Sequence, residues 1–248
     1  MKNKIIKLFQ ILINFLAFKK FVFSYIDWPI FSVSSFVIVN RLKQLGIEFQ
    51  TIIDVGANQG QFSVAISKLF PSAKIICIEA DDKVIKKLKK NINNLNFQII
   101  NSAVGNYCGY AKFNVNNDSQ VSSLLELGSE RIKYYPKSNV LNKKNVRINK
   151  LDNLLKKIKI NRASLLKIDV QGYELNVLKG AKSSLKKIDW CLIEIALANL
   201  YEDEPSIEEI ILFMNKLSFK FHSILNYHSS PDGKKIIEID ALFCRNNI

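Results

Sequence analysis

Thr51-Ile-Ile-Asp-Val-Gly-Ala-Asn-Gln-Gly-Gln-Phe62 is the stretch of this 248-residue chain whose reading decides the fold. Ile52, Ile53 and Val55 form a short β-branched run suited to a strand covered on both faces. Gly56 and Gly60 bracket a turn, where a missing Cβ allows positive φ and lets a ligand approach the main chain. A helix then opens at Gln61. Asp54 stands at the carboxyl end of the strand, beside the crevice in which open α/β sheets bind ligands. The strand end and turn, Asp54, Gly56, Ala57, Asn58, Gln59 and Gly60, are therefore candidate cofactor-binding positions.

The glycine spacing narrows the ligand. A dinucleotide site wants G-x-G-x-x-G, whereas Ala57 and Asn58 follow Gly56 here and no third glycine comes at the required offset. No Gly-Lys-Ser/Thr follows Gly60, which removes a triphosphate loop. A ligand without a pyrophosphate is favoured, and S-adenosylmethionine, an adenosine with a charged amino-acid tail, meets that description. Lys74-Ile-Ile-Cys-Ile-Glu-Ala80 is a second buried-type run. Its terminal acid, Glu79, is placed to accept hydrogen bonds from ribose hydroxyls, with Ala80 beside it.

Composition excludes several classes. A chain of this length buries a sizeable core as one α/β domain and needs no metal or disulfide for stability. Cys77, Cys108, Cys191 and Cys244 show no C-x-x-C spacing, and three of them sit in apolar runs, which suits core thiols in a reducing, cytoplasmic setting. No His/Asp/Glu group has a metal-ligand spacing, so no metal is expected. The formal net charge of +14 is spread over many lysines, without the arginine cluster and interleaved aromatics of a base-stacking surface.

The reading divides the chain into an apolar and basic helical extension, residues 1–45, and a catalytic-type domain, residues 46–248. Within the extension, Ile5 to Phe18 is too short to span a bilayer and lacks a small-residue cleavage site. It fits either a helix packed on the domain or a peripheral membrane contact through residues 1–30. Strands are expected at Thr51–Val55, Lys74–Glu79, Phe97–Ala103, Leu165–Val170 and Trp190–Ala196. Helices are expected at Gln61–Phe70, Asp82–Leu95 and Tyr173–Lys187, with Asp81 or Asp82 as a cap. Residues 105–150 read as an insertion with two short strands. Phe219–Leu225 and Ile236–Phe243, separated by Pro231-Asp-Gly233, form a closing hairpin.

Several ordered blocks resemble the FkbM family of S-adenosylmethionine-dependent methyltransferases. Ile53–Phe62 looks like its first cofactor motif and Cys77-Ile-Glu-Ala80 like its ribose-binding acid; Asn101-Ser-Ala-Val-Gly105 is similar to its third-strand end. The most distinctive block is Leu166-Lys-Ile-Asp-Val-Gln-Gly-Tyr-Glu-Leu-Asn-Val-Leu-Lys-Gly-Ala181, and Asp240-Ala-Leu-Phe243 resembles the closing strand. Gln171 departs from the family's usual glutamate. The resemblance implies a Rossmann-like, seven-stranded class I methyltransferase sheet of five parallel strands plus a carboxyl-terminal antiparallel hairpin. It also implies Ser102 and Ala103 near the adenine, and methylation of a hydroxyl on a sugar, glycan or secondary metabolite.

For the chemistry, Lys167 and Asp169 are two apart and point to one side of their strand, where Asp169 can face the methyl group or hold the methionine ammonium. An ion pair between them is the structural alternative. Glu174 opens a helix, where a carboxylate is favoured. Glu194 is a carboxylate inside an apolar strand, which requires a partner. His228, expected in the loop after a strand, is the better imidazole candidate for a base, and Ser119–Ser123 lies in a loop able to reach an acceptor. The four catalytic candidates are thus Asp169, Lys167, Glu174 and His228. DNA is not an expected partner, since Asp169-Val-Gln-Gly172 stands where a base methyltransferase has D-P-P-Y or N-P-P-Y. A non-catalytic protein docking on a membrane or polyanion and an RNA methyltransferase are the alternatives.

Overall fold

The computed structural model describes residues 29–92, 96–138 and 140–246. The helical and membrane-contact expectations for residues 1–28 lie outside them. In chain order the elements are α1 (Val33–Gln44), β1 (Thr51–Val55), α2 (Gln61–Leu69), β2 (Lys74–Glu79), α3 (Asp82–Asn91), β3 (Phe97–Asn101), β4 (Ala103–Val104) and β5 (Gly109–Asn116). A 3-10 turn at Ser119–Val121 leads to α4 (Ser129–Tyr134), β6 (Val140–Asn149), α5 (Leu151–Leu154), β7 (Ser164–Ile168), α6 (Glu174–Lys179), α7 (Lys182–Leu185), β8 (Trp190–Ala196), α8 (Ile207–Lys216), β9 (Phe219–Ser229) and β10 (Ile236–Arg245).

Seven strands form one sheet in the order β3-β2-β1-β7-β8-β10-β9. The first five are parallel, and β10 runs antiparallel to both β8 and β9. This is the Rossmann-like class I methyltransferase arrangement expected from the sequence. The order turns back at β1, which pairs with β2 on one side and β7 on the other, so the loops after β1 and β7 open at a topological switch point. Alternation along β1 explains its continuous apolar character. Ile53 and Val55 enter the core on one face of the sheet, and Ile52 enters the core on the other. Ile38, Val39 and Leu42 of α1 join Ile52, Phe62 and Ile66 in the second core, fixing α1 to the sheet.

Local chemistry sets the element ends. Asp81 caps α3 by accepting hydrogen bonds from the Lys83 and Val84 amides. Ser206 and Glu209 form a reciprocal capping box on α8. The expected strand Phe97–Ala103 is divided, because Ser102 leaves the sheet and Ala103–Val104 pairs with β6 instead. β5 and β6 are the two strands expected within residues 105–150, and with β4 they make a second, three-stranded sheet.

Two further expectations are corrected. The helix expected over Tyr173–Lys187 is broken at Gly180, where a Cβ would come within 1.9 Å of the Gly105 carbonyl oxygen. That crossing needs a residue without a side chain, and the backbone turns there. His228 lies inside β9, not in a loop after it. Pairing with β10 continues past Leu225, with His228 opposite Glu238, until the turn around Pro231–Gly233. Among the described residues, no helix is long and apolar enough to cross a membrane.

Gly180→Ala should destabilise the fold by about 1–3 kcal/mol through overpacking against a carbonyl that cannot move away freely. Urea unfolding of the variant beside the wild type measures this, and an unchanged midpoint would show that the crossing tolerates a methyl group.

Candidate active site

Register across the parallel strands brings the site together. Asp54 on β1 is the partner of Lys167 on β7, so both side chains leave the same face of the sheet. Lys167 Nζ lies 2.8 Å from Asp169 Oδ2 and 3.8 Å from Asp54 Oδ1, with the Phe62 ring centroid 5.3 Å away. Burial works against a lysine cation here, yet Asp169 and Asp54 outweigh it and hold the Lys167 pKa above its ordinary value. Asp169 responds in kind. Burial pushes its pKa up, but Lys167 and hydrogen bonds from neighbouring groups bring it below the usual carboxylate range. Asp54 ends raised, because burial exceeds the help of Lys167 and of the Ser63 hydroxyl, which donates to Asp54 Oδ2 at 2.6 Å.

A second row follows two residues further along the strands. Leu192 pairs with Lys167, so Glu194 on β8 lies beside Asp169; Asp240 on β10 is opposite Glu194, and Asn226 on β9 is opposite Asp240. Glu238 and His228 form the next facing pair. A cavity of about 370 Å³ opens over both rows, lined by Asp54, Glu79, Asp169, Glu194, His228 and Asp240 among others. Ser32, Ser34, Ser35 and Ile38 contribute a wall from α1 and its N-cap.

At the opposite end of the cavity, Glu79 anchors the turn after β1. Its Oε2 accepts from the Asn58 amide at 2.9 Å and its Oε1 from the Asp81 amide at 2.8 Å. Each oxygen keeps a further lone pair for a ligand hydroxyl. Burial pushes the Glu79 pKa up to about 7 despite these amides. Asn58, at φ 47°, also accepts from Ser119 Oγ at 3.0 Å, which ties the Ser119–Ser123 loop to the turn. Gly56, Ala57, Asn58, Ala80, Ser102 and Ala103 line the same region.

A family model described as the methyltransferase FkbM domain matches residues 54–221, more than half of the chain. The chain belongs to the FkbM methyltransferase family. It is 25% identical over 170 residues to the 2-O-methyltransferase NoeI of Sinorhizobium fredii, covering 64% of this chain and 69% of that protein. The crystal structure of a methyltransferase FkbM from Methylobacillus flagellatus KT superposes with a TM-score of 0.51 at 12% identity, over 79% of this chain. This FkbM-family chain covers 44% of the length of that structure, and the likeness is one of fold.

Three sequence-stretch candidates take places other than the cavity wall. Gln59 turns aside, its Nε2 donating to Ser119 Oγ at 3.2 Å and its carbonyl accepting from Asn91 Nδ2 at 2.8 Å. Gly60 serves packing, because a Cβ there would meet Leu88 Cδ1 at 2.8 Å. Glu174, expected among the catalytic groups, is buried under the loop after β7. Its Oε1 accepts from the Val170 and Gly172 amides at 3.0 and 3.2 Å, so it shapes the backbone that presents Asp169. Gly56 has a related reason beyond ligand approach. A Cβ at its φ of 83° would stand 1.8 Å from the Asp169 carbonyl oxygen, so the loops after β1 and β7 cross there.

Glu238, Asp240 and Arg131 escaped the sequence reading. Glu238 and Asp240 are two apart in an otherwise apolar strand, and that same-face spacing of acids was available as a signal. Arg131 had none. It sits on the short α4, is 8% exposed, and has its guanidinium 5.0 Å from the Tyr135 ring centroid and 5.9 Å from that of Tyr201. Its Nε has no hydrogen-bond partner among the described residues, and its charge lowers the pKa of Glu238, which burial nonetheless pushes up to about 7. Among the described residues no group of three or more His, Cys, Asp or Glu side chains is placed to hold a metal ion.

Burial also pushes the Glu174 pKa up to about 8. A raised folded-state carboxyl favours folding fully below its unfolded value near 4.3, and that contribution disappears as pH rises through the folded value. Wild-type stability in urea should therefore fall between about pH 5 and above pH 8, through the raised carboxyls, Glu79, Glu174 and Glu238 among them. Glu174→Gln should flatten the upper part of this decline. A wild-type profile flat across the range would show that none of these carboxyls is raised.

Proposed function

We propose that this chain transfers a methyl group from S-adenosylmethionine to a hydroxyl on a sugar, glycan or secondary metabolite. The observation that carries the proposal is one cavity at the switch point with the Glu79 carboxylate, which accepts from the Asn58 amide, at one end and the Lys167–Asp169 pair at the other. The residues present fit the cofactor. Asp54 lines the cavity with Oδ1 buried and without a hydrogen-bond donor, an acceptor suited to the ammonium of the amino-acid tail. Glu79 would take the ribose hydroxyls, and Ser102 and Ala103 the region of the adenine.

Bound in this cavity, the cofactor supplies an electrophilic methyl carbon. The protein's part is to hold an acceptor oxygen in line and to remove its proton. Asp169 is the base that fits, being ionised in the presence of Lys167 and exposed to the cavity. Lys167 holds Asp169 in place and keeps it charged. His228 lines the acceptor half beside Glu238 and orients groups there.

The acceptor half favours a neutral, hydroxyl-bearing molecule. Asp169, Glu194, Glu238 and Asp240 offer hydrogen-bond partners to hydroxyls, and the ionised Asp169 repels phosphates, which counts against an RNA acceptor. The NoeI relative is named as a 2-O-methyltransferase, which supports oxygen as the atom modified.

Titration calorimetry with S-adenosylmethionine should show binding that Glu79→Ala weakens about 10- to 100-fold, the loss expected for hydrogen bonds to a charged group. Failure of the wild type to bind at millimolar cofactor would end the proposal. Asp169→Asn should retain cofactor binding while lowering kcat about 100-fold or more. Unchanged turnover would remove Asp169 as the base.

A further inference from the structure

Too many carboxyl groups meet beside the cavity for all to be ionised. Asp54, Asp169, Glu194, Glu238 and Asp240 converge there, and Lys167 and Arg131 are the cations that line the same cavity. Buried like charges cannot all be carried without partners. The side chain joining two of these carboxyls is Gln171. Its Nε2 donates to Asp169 Oδ1 at 2.9 Å and also to Glu194 Oε2. The amide is held from behind, since the Tyr201 hydroxyl donates to Gln171 Oε1 at 2.7 Å and Ser123 Oγ donates to the Gln171 carbonyl at 2.6 Å. The residue also adopts φ 59°, a left-handed backbone that a non-glycine residue keeps only when its surroundings impose it.

We propose that Asp169 and Glu194 act as one carboxyl pair holding a single proton on Glu194, tied together by the Gln171 amide, and that this pair receives the acceptor's hydroxyl proton. The inference rests on the methyl-transfer reading above. In the step, the acceptor O–H bond breaks and its proton passes to Asp169. The oxygen lone pair forms the new bond to the methyl carbon, while the sulfur–carbon bonding pair stays on sulfur. Glu194 keeps its own proton throughout, so it stands beside Asp169 as a neutral donor and not as a competing anion. Gln171 is a positioning residue in this scheme.

The groups facing Glu194 agree with this division. Lys167 and Asp169 come from β7 and its loop, Asp240 and Glu238 from β10, His228 from β9, and Tyr201 and Arg131 from the segments above. Burial first, and then Asp169, Glu238 and Asp240, raise the Glu194 pKa well above the ordinary carboxyl range. Gln171 matters because a glutamate in its place would bring another negative charge against both members of the pair.

Infrared difference spectra of the full-length, cofactor-free protein at pH 7 read the pair directly. The wild type should show a protonated-carboxyl stretching band that Glu194→Gln removes and Gln171→Met shifts. Gln171→Met leaves both carboxyls in place, so it decides the matter if the first variant fails to fold. A band unchanged in the folded variants overturns the pair. In methyl transfer, Gln171→Glu should move the acidic limb of the kcat profile upward by about one pH unit, with little change in cofactor affinity. An unmoved limb overturns the role of the pair in proton transfer. Absence of any transfer by the wild type would end the functional reading and this role together, while the infrared result would still report whether the two carboxyls share a proton.

Discussion

The buried Lys167 ammonium is the interaction on which the cleft depends. A lysine at 5% exposure is tolerated only where carboxylates meet it, and Asp169 and Asp54 come from adjacent strands to do so. The same contact draws the ends of β1 and β7 together at the point where the sheet order turns back. Asp169 N donates to the Val55 carbonyl at 3.0 Å, and the space that a Cβ on Gly56 would need is filled by the Asp169 carbonyl. Removing the lysine would leave two carboxyls facing each other in a low-dielectric region, so its charge supports backbone geometry as well as the pKa of a neighbouring acid.

Around this contact the loop after β7 is held from several directions. Glu174 accepts two of its amides, the Gln171 side chain reaches across to Glu194, and Tyr201 and Ser123 hold Gln171 itself. Most of these groups are not exposed to the cavity, and their contribution is to reduce the number of positions Asp169 can take.

The parts legible from sequence were those set by local period and by glycine. Ile52–Val55 and Ile75–Ile78 announce buried strands, and the Pro231–Gly233 turn announces the hairpin. Glu79 stood out as an acid ending a second strand, and the structure places it on the cavity, holding the Asn58 amide. The misreadings came from long-range contacts. Gly180 breaks its helix because Gly105 crosses it, and His228 stays in a strand because Glu238 is opposite. Glu174 looked like a cavity residue, and only the folded loop shows its oxygens committed to amides. Arg131 offered no pattern, since a six-residue helix in a small side sheet carries too little periodicity to mark a buried cation.

The wall contributed by α1 has a consequence for how likeness to other chains is read. Ser32, Ser35 and Ile38 on one side, and His228, Glu238 and Asp240 on the other, all fall outside residues 54–221, the stretch that defines family membership. That stretch contains the turn, Glu79 and Asp169, the groups proposed above to meet the methyl donor. The flanking pieces line the same cavity, in which the acceptor is proposed to sit. Kinship scored on the shared stretch therefore describes the engine and is silent on the cargo. Two such chains can match closely over residues 54–221 and still modify different molecules, with the divergence in the flanking segments.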